Sequence, residues 1–115
     1  MKIDILTKNV EMTSAIRSYA EKKIGSLALF VKRFEKDGEV EIFLEVARTT
    51  KHHKHGEVFY AEATLNLSGK TIRAEKYNIN LYDAINGLKQ MLKNDIIKYK
   101  SKLTDTKIRG KAAKK

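Results

Sequence analysis

Apolar and polar residues alternate along three segments in the middle of the chain. Between residues 40 and 46 every second residue is apolar, and glutamates stand among the others. Residues 59–67 repeat the alternation, and beyond a tight turn at residues 68–70 a shorter alternation places Ile72 and Ala74 on one face. A two-residue period is typical of strands with one buried face, so the pattern predicts three antiparallel strands with one face in solvent.

Two other segments show the 3.6-residue period of amphipathic helices. Thr13 is a suitable N-cap for a first helix that runs to about Arg33, with Gly25 in its interior. Asn80 is a suitable N-cap for a second helix, and Asp83 three residues later completes a pair resembling a capping box. The predicted buried stripes are Ile16, Ala20, Ile24, Leu27, Val31 and Phe34 in the first helix, and Leu81, Ile85, Leu88, Leu92, Ile96, Tyr99 and Leu103 in the second.

A short segment at residues 2–7 reads as a further strand, because Ile3 and Ile5 share one face. The predicted order is therefore β-α-β-β-β-α. An α+β two-layer sandwich follows, with a four-stranded sheet and two helices on one face. The first crossover would make the first two strands parallel. Residues 1–103 would form one domain, and residues 104–115 a basic, disordered tail.

Composition narrows the function classes. The 115 residues suffice for one domain, and the chain contains no cysteine. There is no apolar run of membrane-spanning length, no P-loop and no GxGxxG, and the serines lack the context of a nucleophile. The sequence therefore favours a cytoplasmic protein that has no cofactor and has neither a small-molecule substrate nor a membrane as partner.

A net charge of +10 and a pI of about 9.8 favour a polyanionic partner. The open face of the predicted sheet would carry Glu41, Glu45, Glu62 and Glu75, with Arg73 as the main positive charge. Glutamates repel phosphate, which argues against an RNA reader that stacks bases on its sheet. Any nucleic-acid surface would then lie on the helical side.

Cations flank both predicted helices. On the second helix Lys98 and Lys102 lie on one side of the buried stripe, and Tyr82 lies on the other side with three further lysines. Lysines on a solvated helix face can also serve solubility alone. The candidate contacts to nucleic-acid phosphates are Arg17, Lys22, Lys23, Arg33, Tyr82, Lys89, Lys93, Lys98, Lys100 and Lys102.

The loop after residue 50 contains His52, His53 and His55. Two histidines two residues apart can share one face of a strand and bind a divalent metal. A cationic hairpin loop is the alternative and the favoured reading, so the histidines are a weak metal candidate.

Residues 9–27, "NVEMTSAIRSYAEKKIGSL", and residues 80–88, "NLYDAINGL", resemble two signature regions of the ribosome hibernation promoting factors. This family includes the ribosome-associated inhibitor called protein Y and was long labelled sigma-54 modulation protein. The resemblance covers roughly residues 1–103. It implies a β-α-β-β-β-α fold similar to that of double-stranded-RNA-binding domains, and no enzymatic activity.

The resemblance also implies a partner, the small ribosomal subunit with its 16S-type rRNA. Family members bind in the mRNA and tRNA channel at the A and P sites, and so keep ribosomes inactive in stationary phase or under stress. Basic side chains of the two helices make most of the contacts. The chain resembles a short form of the family, for which a separate ribosome-dimerising factor is a further candidate partner.

Some positions depart from the family pattern. Asn80 replaces an aspartate, and Ser26 stands where a lysine is common. Met91 and Asn94 replace a lysine and an arginine, and Asp95 replaces a neutral residue. Two other functions remain open: a general binder of double-stranded RNA, and a protein that self-associates through its sheet edges.

Overall fold

The computed structural model of the chain describes residues 1–49 and 58–113, and it describes the side chains in these ranges except at residues 37 and 105–113. The elements follow the predicted order, with the first helical segment divided into three pieces. They are β1 (Lys2–Lys8), α1 (Ser14–Gly25), α2 (Ala28–Val31), a 3₁₀ helix (Lys32–Asp37), β2 (Glu41–Thr49), β3 (Val58–Leu67), β4 (Lys70–Asn78) and α3 (Leu81–Ala113).

The four strands form one mixed sheet in the order β1-β2-β3-β4. β1 pairs with β2 in parallel, with Ile3 opposite Ile42 and Ile5 opposite Leu44. The other two pairs are antiparallel. Gly69 takes a φ of +78° in the two-residue turn between β3 and β4, a conformation that glycine adopts without steric cost. The predicted fold class is confirmed.

One face of the sheet and the two main helices enclose the core. Val40, Ile42, Leu44 and Val46 are at most 2% exposed, as their alternation predicts. Leu88 and the other central residues of the α3 stripe are completely buried against this face. The hydrophobic periods therefore identified the buried face of each element correctly.

The first helical segment does not continue as one α-helix to Arg33, as the sequence predicts. After Gly25 the main-chain hydrogen bonds no longer all span four residues. The Leu27 N–H donates to the Ile24 carbonyl, three residues earlier, at 3.0 Å. The Ser26 hydroxyl donates to the Lys23 carbonyl at 2.6 Å. Glycine weakens the helix and the serine competes for its carbonyls, which explains the change. Ser26 and Leu27 keep right-handed helical angles, so Val31 and Phe34 still reach the core.

The start of α3 is capped by two asparagines. The Asn80 side-chain oxygen accepts hydrogen bonds from the N–H groups of Tyr82, at 2.9 Å, and Asp83, at 3.2 Å. In a capping box the Asn80 N–H would donate to the carboxylate of Asp83. Here it donates to the side-chain oxygen of Asn78, at 2.9 Å. Asp83 still lies in the first turn, where its charge complements the helix dipole.

Replacing Asn80 by alanine is expected to lower the free energy of unfolding by about 1 kcal/mol, because two N–H groups lose their acceptor. Urea unfolding followed by circular dichroism would measure this change. Asn94→Ala is the matched control, because Asn94 is exposed within the same helix. A similar loss in both variants would contradict the capping role of Asn80.

α3 continues to Ala113, beyond the predicted end at Leu103. The segment predicted to be a disordered tail, residues 104–115, is therefore helical as far as the structure describes it. Lysine, arginine and alanine are good helix formers, and no proline interrupts the chain. The apolar stripe ends at Leu103, whereas these helix propensities continue beyond it. In the described part of the chain, no helix is both long and apolar enough to cross a membrane.

Candidate nucleic-acid interface

The flank of α3 that carries Tyr82 faces α1. The rings of Tyr19 and Tyr82 meet edge to face, with their centroids 4.8 Å apart. The ammonium of Lys23 lies 5.6 Å from the centroid of the Tyr19 ring. We call this contact zone between α1–α2 and α3 the interhelical seam. This end of the seam therefore contains the Tyr19–Tyr82 pair and the ammonium group of Lys23 close to it.

Phe30 forms the other end of the interhelical seam. The Lys93 ammonium lies 5.3 Å from the centroid of the Phe30 ring. The Lys100 ammonium donates a hydrogen bond to the Phe30 carbonyl at 3.0 Å. Lys89, Lys93 and Lys100 are all half-buried. Lys93 and Lys100 are thus partly engaged in holding α3 against α2, and they are less free to meet an external phosphate.

The opposite flank of α3 faces β4. The aliphatic part of Lys76 lies against Gly87, where a Cβ would come within 3.0 Å of the lysine side chain. Further along, Lys98 and Lys102 are exposed and line a cleft together with Lys70 and Asp95. The two flanks of α3 therefore differ, with exposed cations on the β4 side and half-buried cations in the seam.

The cations of the first helical segment do not form one group. Lys22 is exposed, and Arg33 lies across a cleft from Lys100 with its guanidinium 5.3 Å from the Phe34 ring. Arg17 lies on the far flank of α1, where it forms an ion pair with Glu21 at 3.7 Å. The structure therefore separates Arg17 from the other candidates.

The open face of the sheet has the opposite charge. The strand register sets Glu45 opposite Glu62, and Glu62 opposite Glu75. Burial and the charge of Glu45 raise the pKa of Tyr60 above its ordinary 10.0. A hydrogen bond to Glu45, at 3.1 Å, raises the pKa of Lys8 above its ordinary 10.5. A negative row across the sheet disfavours a polyanion there and leaves the helical side as the candidate interface.

The sequence did not single out Tyr19, Phe30 or Lys70 as part of this surface. Tyr19 stands four residues before Lys23, and this spacing places both on one helix flank. Their proximity could therefore be predicted from the sequence. Phe30 belongs to a segment where the α-helical hydrogen-bond pattern is interrupted. Lys70 contacts the cleft only because β4 lies beside α3, and its ammonium is 5.8 Å from the Tyr99 ring.

The residues that depart from the family pattern have identifiable places. Ser26 uses its hydroxyl to bind a main-chain carbonyl, so it shapes the end of α1. Met91 is 38% exposed on the β4 flank of α3, and Asp95 lines the cleft with Lys98 and Lys102. The β4 flank therefore carries a smaller positive charge than the family pattern implies. The lysines of the seam lie on the other flank.

No group of three or more metal-binding side chains of His, Cys, Asp or Glu occurs among the described residues. His52, His53 and His55 lie outside those residues. The metal prediction therefore stays a prediction.

Comparison with known proteins gives consistent results. The profile of the family described as "Sigma 54 modulation protein / S30EA ribosomal protein" matches residues 3–104. The ribosome hibernation promoting factor of Klebsiella oxytoca is 32% identical, over 90% of this chain and 97% of its own length. The ribosome hibernation promotion factor of Lactococcus lactis subsp. cremoris is 35% identical over 90% of this chain, which spans only 51% of that longer protein.

A solved structure agrees with these sequence relatives. The N-terminal domain of Thermus thermophilus protein Y superposes with a TM-score of 0.69 and 29% identity, over 86% of this chain and 99% of that domain. The resemblance inferred from residues 9–27 and 80–88 is thereby confirmed. The chain belongs to the sigma 54 modulation protein / S30EA ribosomal protein family.

Proposed function

We propose that this protein is a ribosome hibernation factor. It binds the rRNA of the small ribosomal subunit through its helical side, in the channel that mRNA and the A- and P-site tRNAs use, and keeps ribosomes inactive under stress or in stationary phase. Residues 1–103 would be the ribosome-binding domain, acting in the cytoplasm. The main support for this proposal is the charge of the two faces, because the helical side is basic and the open face of the sheet is acidic. The relatives of the chain are named ribosome hibernation factors.

Phosphate binding would start at the exposed cations of the helical side. Lys22 on α1, and Lys98 and Lys102 on α3, are exposed to solvent. Long flexible lysine side chains suit the phosphate backbone, which positions a protein without reading base sequence. Arg33 and Lys100 face each other across the cleft between α2 and α3 and would contribute a second contact.

Inhibition then needs no catalytic step. A folded domain that occupies the channel excludes mRNA and tRNA by volume, and its affinity rests on counterion release from the rRNA. The half-buried lysines of the seam would add to the positive field while they hold α3 against α2.

A general binder of RNA duplexes would use the same cations, so the experiment must separate the two functions. Purified ribosomes are mixed with the full chain and separated on a sucrose gradient at physiological salt, and translation is measured in a purified system. We expect saturable, roughly stoichiometric co-sedimentation with the small subunit together with inhibited translation. Protein that stays at the top of the gradient, with translation unaffected, would refute the proposal.

A further inference from the structure

The open face of the sheet, opposite the helices, exposes apolar side chains. They lie beside a row of glutamates, the acidic row, formed by Glu45, Glu62 and Glu75. Leu6 is 59% exposed and Phe43 is 44% exposed. Both line a shallow cleft that also includes Asp4, Glu45 and Glu62. On the β4 side Tyr77 is 40% exposed, and its ring centroid lies 5.6 Å from that of Tyr60. We call this surface, with Glu75, the open-face patch.

The acidic row is unfavourable for the fold itself. Glu45, Glu62 and Glu75 stand opposite one another on three neighbouring strands, and like charges directly opposite destabilise a sheet. Lys8 pairs with Glu45, whereas Glu62 and Glu75 are exposed. Folding therefore does not explain why a chain with a net charge of +10 places glutamates here.

We infer that the open-face patch binds a basic protein segment that also carries apolar side chains. The apolar groups would cover Leu6 and Phe43, and the cations would lie along the glutamate row. Charge complementarity selects this occupant, because RNA and acidic peptides are repelled by the row. The helical side stays free, so one molecule could hold rRNA on one face and a basic protein on the other.

The length of the acidic row fits a peptide segment in an extended conformation. Neighbouring strands are about 4.8 Å apart, so the row spans roughly 10 Å. Alternate residues of an extended chain are about 6.8 Å apart, and two arginine or lysine side chains at that spacing can reach both ends of the row. A segment with cationic and apolar residues on the same side would contact the row and the cleft together.

The test uses the full chain and a labelled synthetic peptide of repeated Arg-Ser-Arg-Ser-Leu-Ser-Leu-Ser units. In an extended conformation this repeat sets two cations and then two leucines at alternate positions on one side. Binding is followed by fluorescence anisotropy. Phe43→Ser is expected to weaken binding by about tenfold, because it removes an exposed aromatic anchor. The double variant Glu62→Lys with Glu75→Lys is expected to weaken it by about a hundredfold. The same double variant should unfold at a temperature close to that of the wild type, because position 62 gains a charge opposite to that of Glu45 while positions 62 and 75 still carry like charges.

The matched control is Glu11→Lys with Glu21→Lys, which changes the net charge equally at exposed positions outside the sheet. It should alter peptide affinity by less than about threefold, because salt screens distant charges. Equal weakening by both double variants, or no effect of Phe43→Ser, would overturn the inference. So would wild-type self-association at micromolar concentration that Phe43→Ser abolishes, since the occupant would then be a second copy. Ribosome binding through the helical side should survive in Glu62→Lys with Glu75→Lys, which separates this inference from the proposed function.

Discussion

The double variant Lys22→Glu with Lys98→Glu is expected to bind small ribosomal subunits about a hundredfold more weakly than the wild type. Each residue is an exposed cation on a different main helix. A hydrogen bond to a charged group contributes about 1.5 kcal/mol or more, and the loss of two corresponds to about two powers of ten. The dependence of log affinity on log salt should also become shallower by about 1.5. Filter binding across a salt series would measure both quantities.

Lys2→Glu with Arg73→Glu is the matched control for this variant. It changes the net charge by the same amount, at exposed positions on strands β1 and β4. We expect a loss of less than about threefold at physiological salt, because these residues belong to the strands and salt screens interactions between exposed charges that are not in contact. Equal losses in the two double variants would mean that overall charge, and no particular face, determines binding.

A third variant tests which flank of α3 binds the small subunit. Lys89→Glu with Lys93→Glu changes the half-buried lysines of the seam. Its loss of affinity should be smaller than that of Lys22→Glu with Lys98→Glu. The opposite ranking would place the docking surface on the seam. A thermal melt of each variant is needed, because Lys93 packs on Phe30.

Replacing Leu88 by alanine is expected to lower the free energy of unfolding by about 2–5 kcal/mol. Leu88 is completely buried at the centre of the α3 stripe, so its removal leaves a cavity between the helix and the sheet. Small domains have a total stability of about 5–15 kcal/mol, so the loss would be a large part of it. Urea unfolding with a shared m-value would measure the change.

The control for Leu88→Ala is Met91→Ala, three residues further along the same helix. Met91 is 38% exposed on the β4 flank. Its replacement should cost less than about 0.5 kcal/mol, as is usual for surface positions. A small effect of Leu88→Ala would contradict the assignment of the α3 stripe to the core.

The helices, the strands and their buried faces can be predicted from hydrophobic periods, because positions that are buried in the fold carry apolar residues. The period of two residues predicted Val40 to Val46 inward, and the 3.6-residue period predicted Ile85 and Leu88 inward. Both helix N-caps, Thr13 and Asn80, were also predictable, since their side chains satisfy N–H groups close by in sequence.

Features that depend on competing local bonds were not predictable in this way. The α1 helix ends at Gly25 because glycine weakens it and Ser26 binds a carbonyl, while the apolar period continues through Val31. At the start of α3 the Asn80 N–H donates to the side chain of Asn78, which takes the role expected of Asp83. α3 extends beyond the end of the apolar stripe, because helix propensity continues after Leu103.

The candidate interface was partly predictable. The period showed that Lys98 and Lys93 lie on opposite flanks of one helix. It could not show which flank faces α1–α2, because that depends on how α3 lies across the sheet. This orientation leaves Lys98 exposed and sets Lys93 over Phe30. The acidic open face was foreseen from alternation, whereas the alignment of Glu45, Glu62 and Glu75 in one row needed the strand register.

We propose that the helical side occupies the place of mRNA and tRNA on the small subunit. The most direct measurement is the equilibrium binding of labelled protein to purified small subunits, with and without tRNA bound at the P site, and with an RNA duplex as a separate competitor. We expect that bound tRNA prevents binding and that duplex RNA competes poorly at physiological salt. Undiminished binding to tRNA-loaded subunits, or equal competition by the duplex, would contradict it.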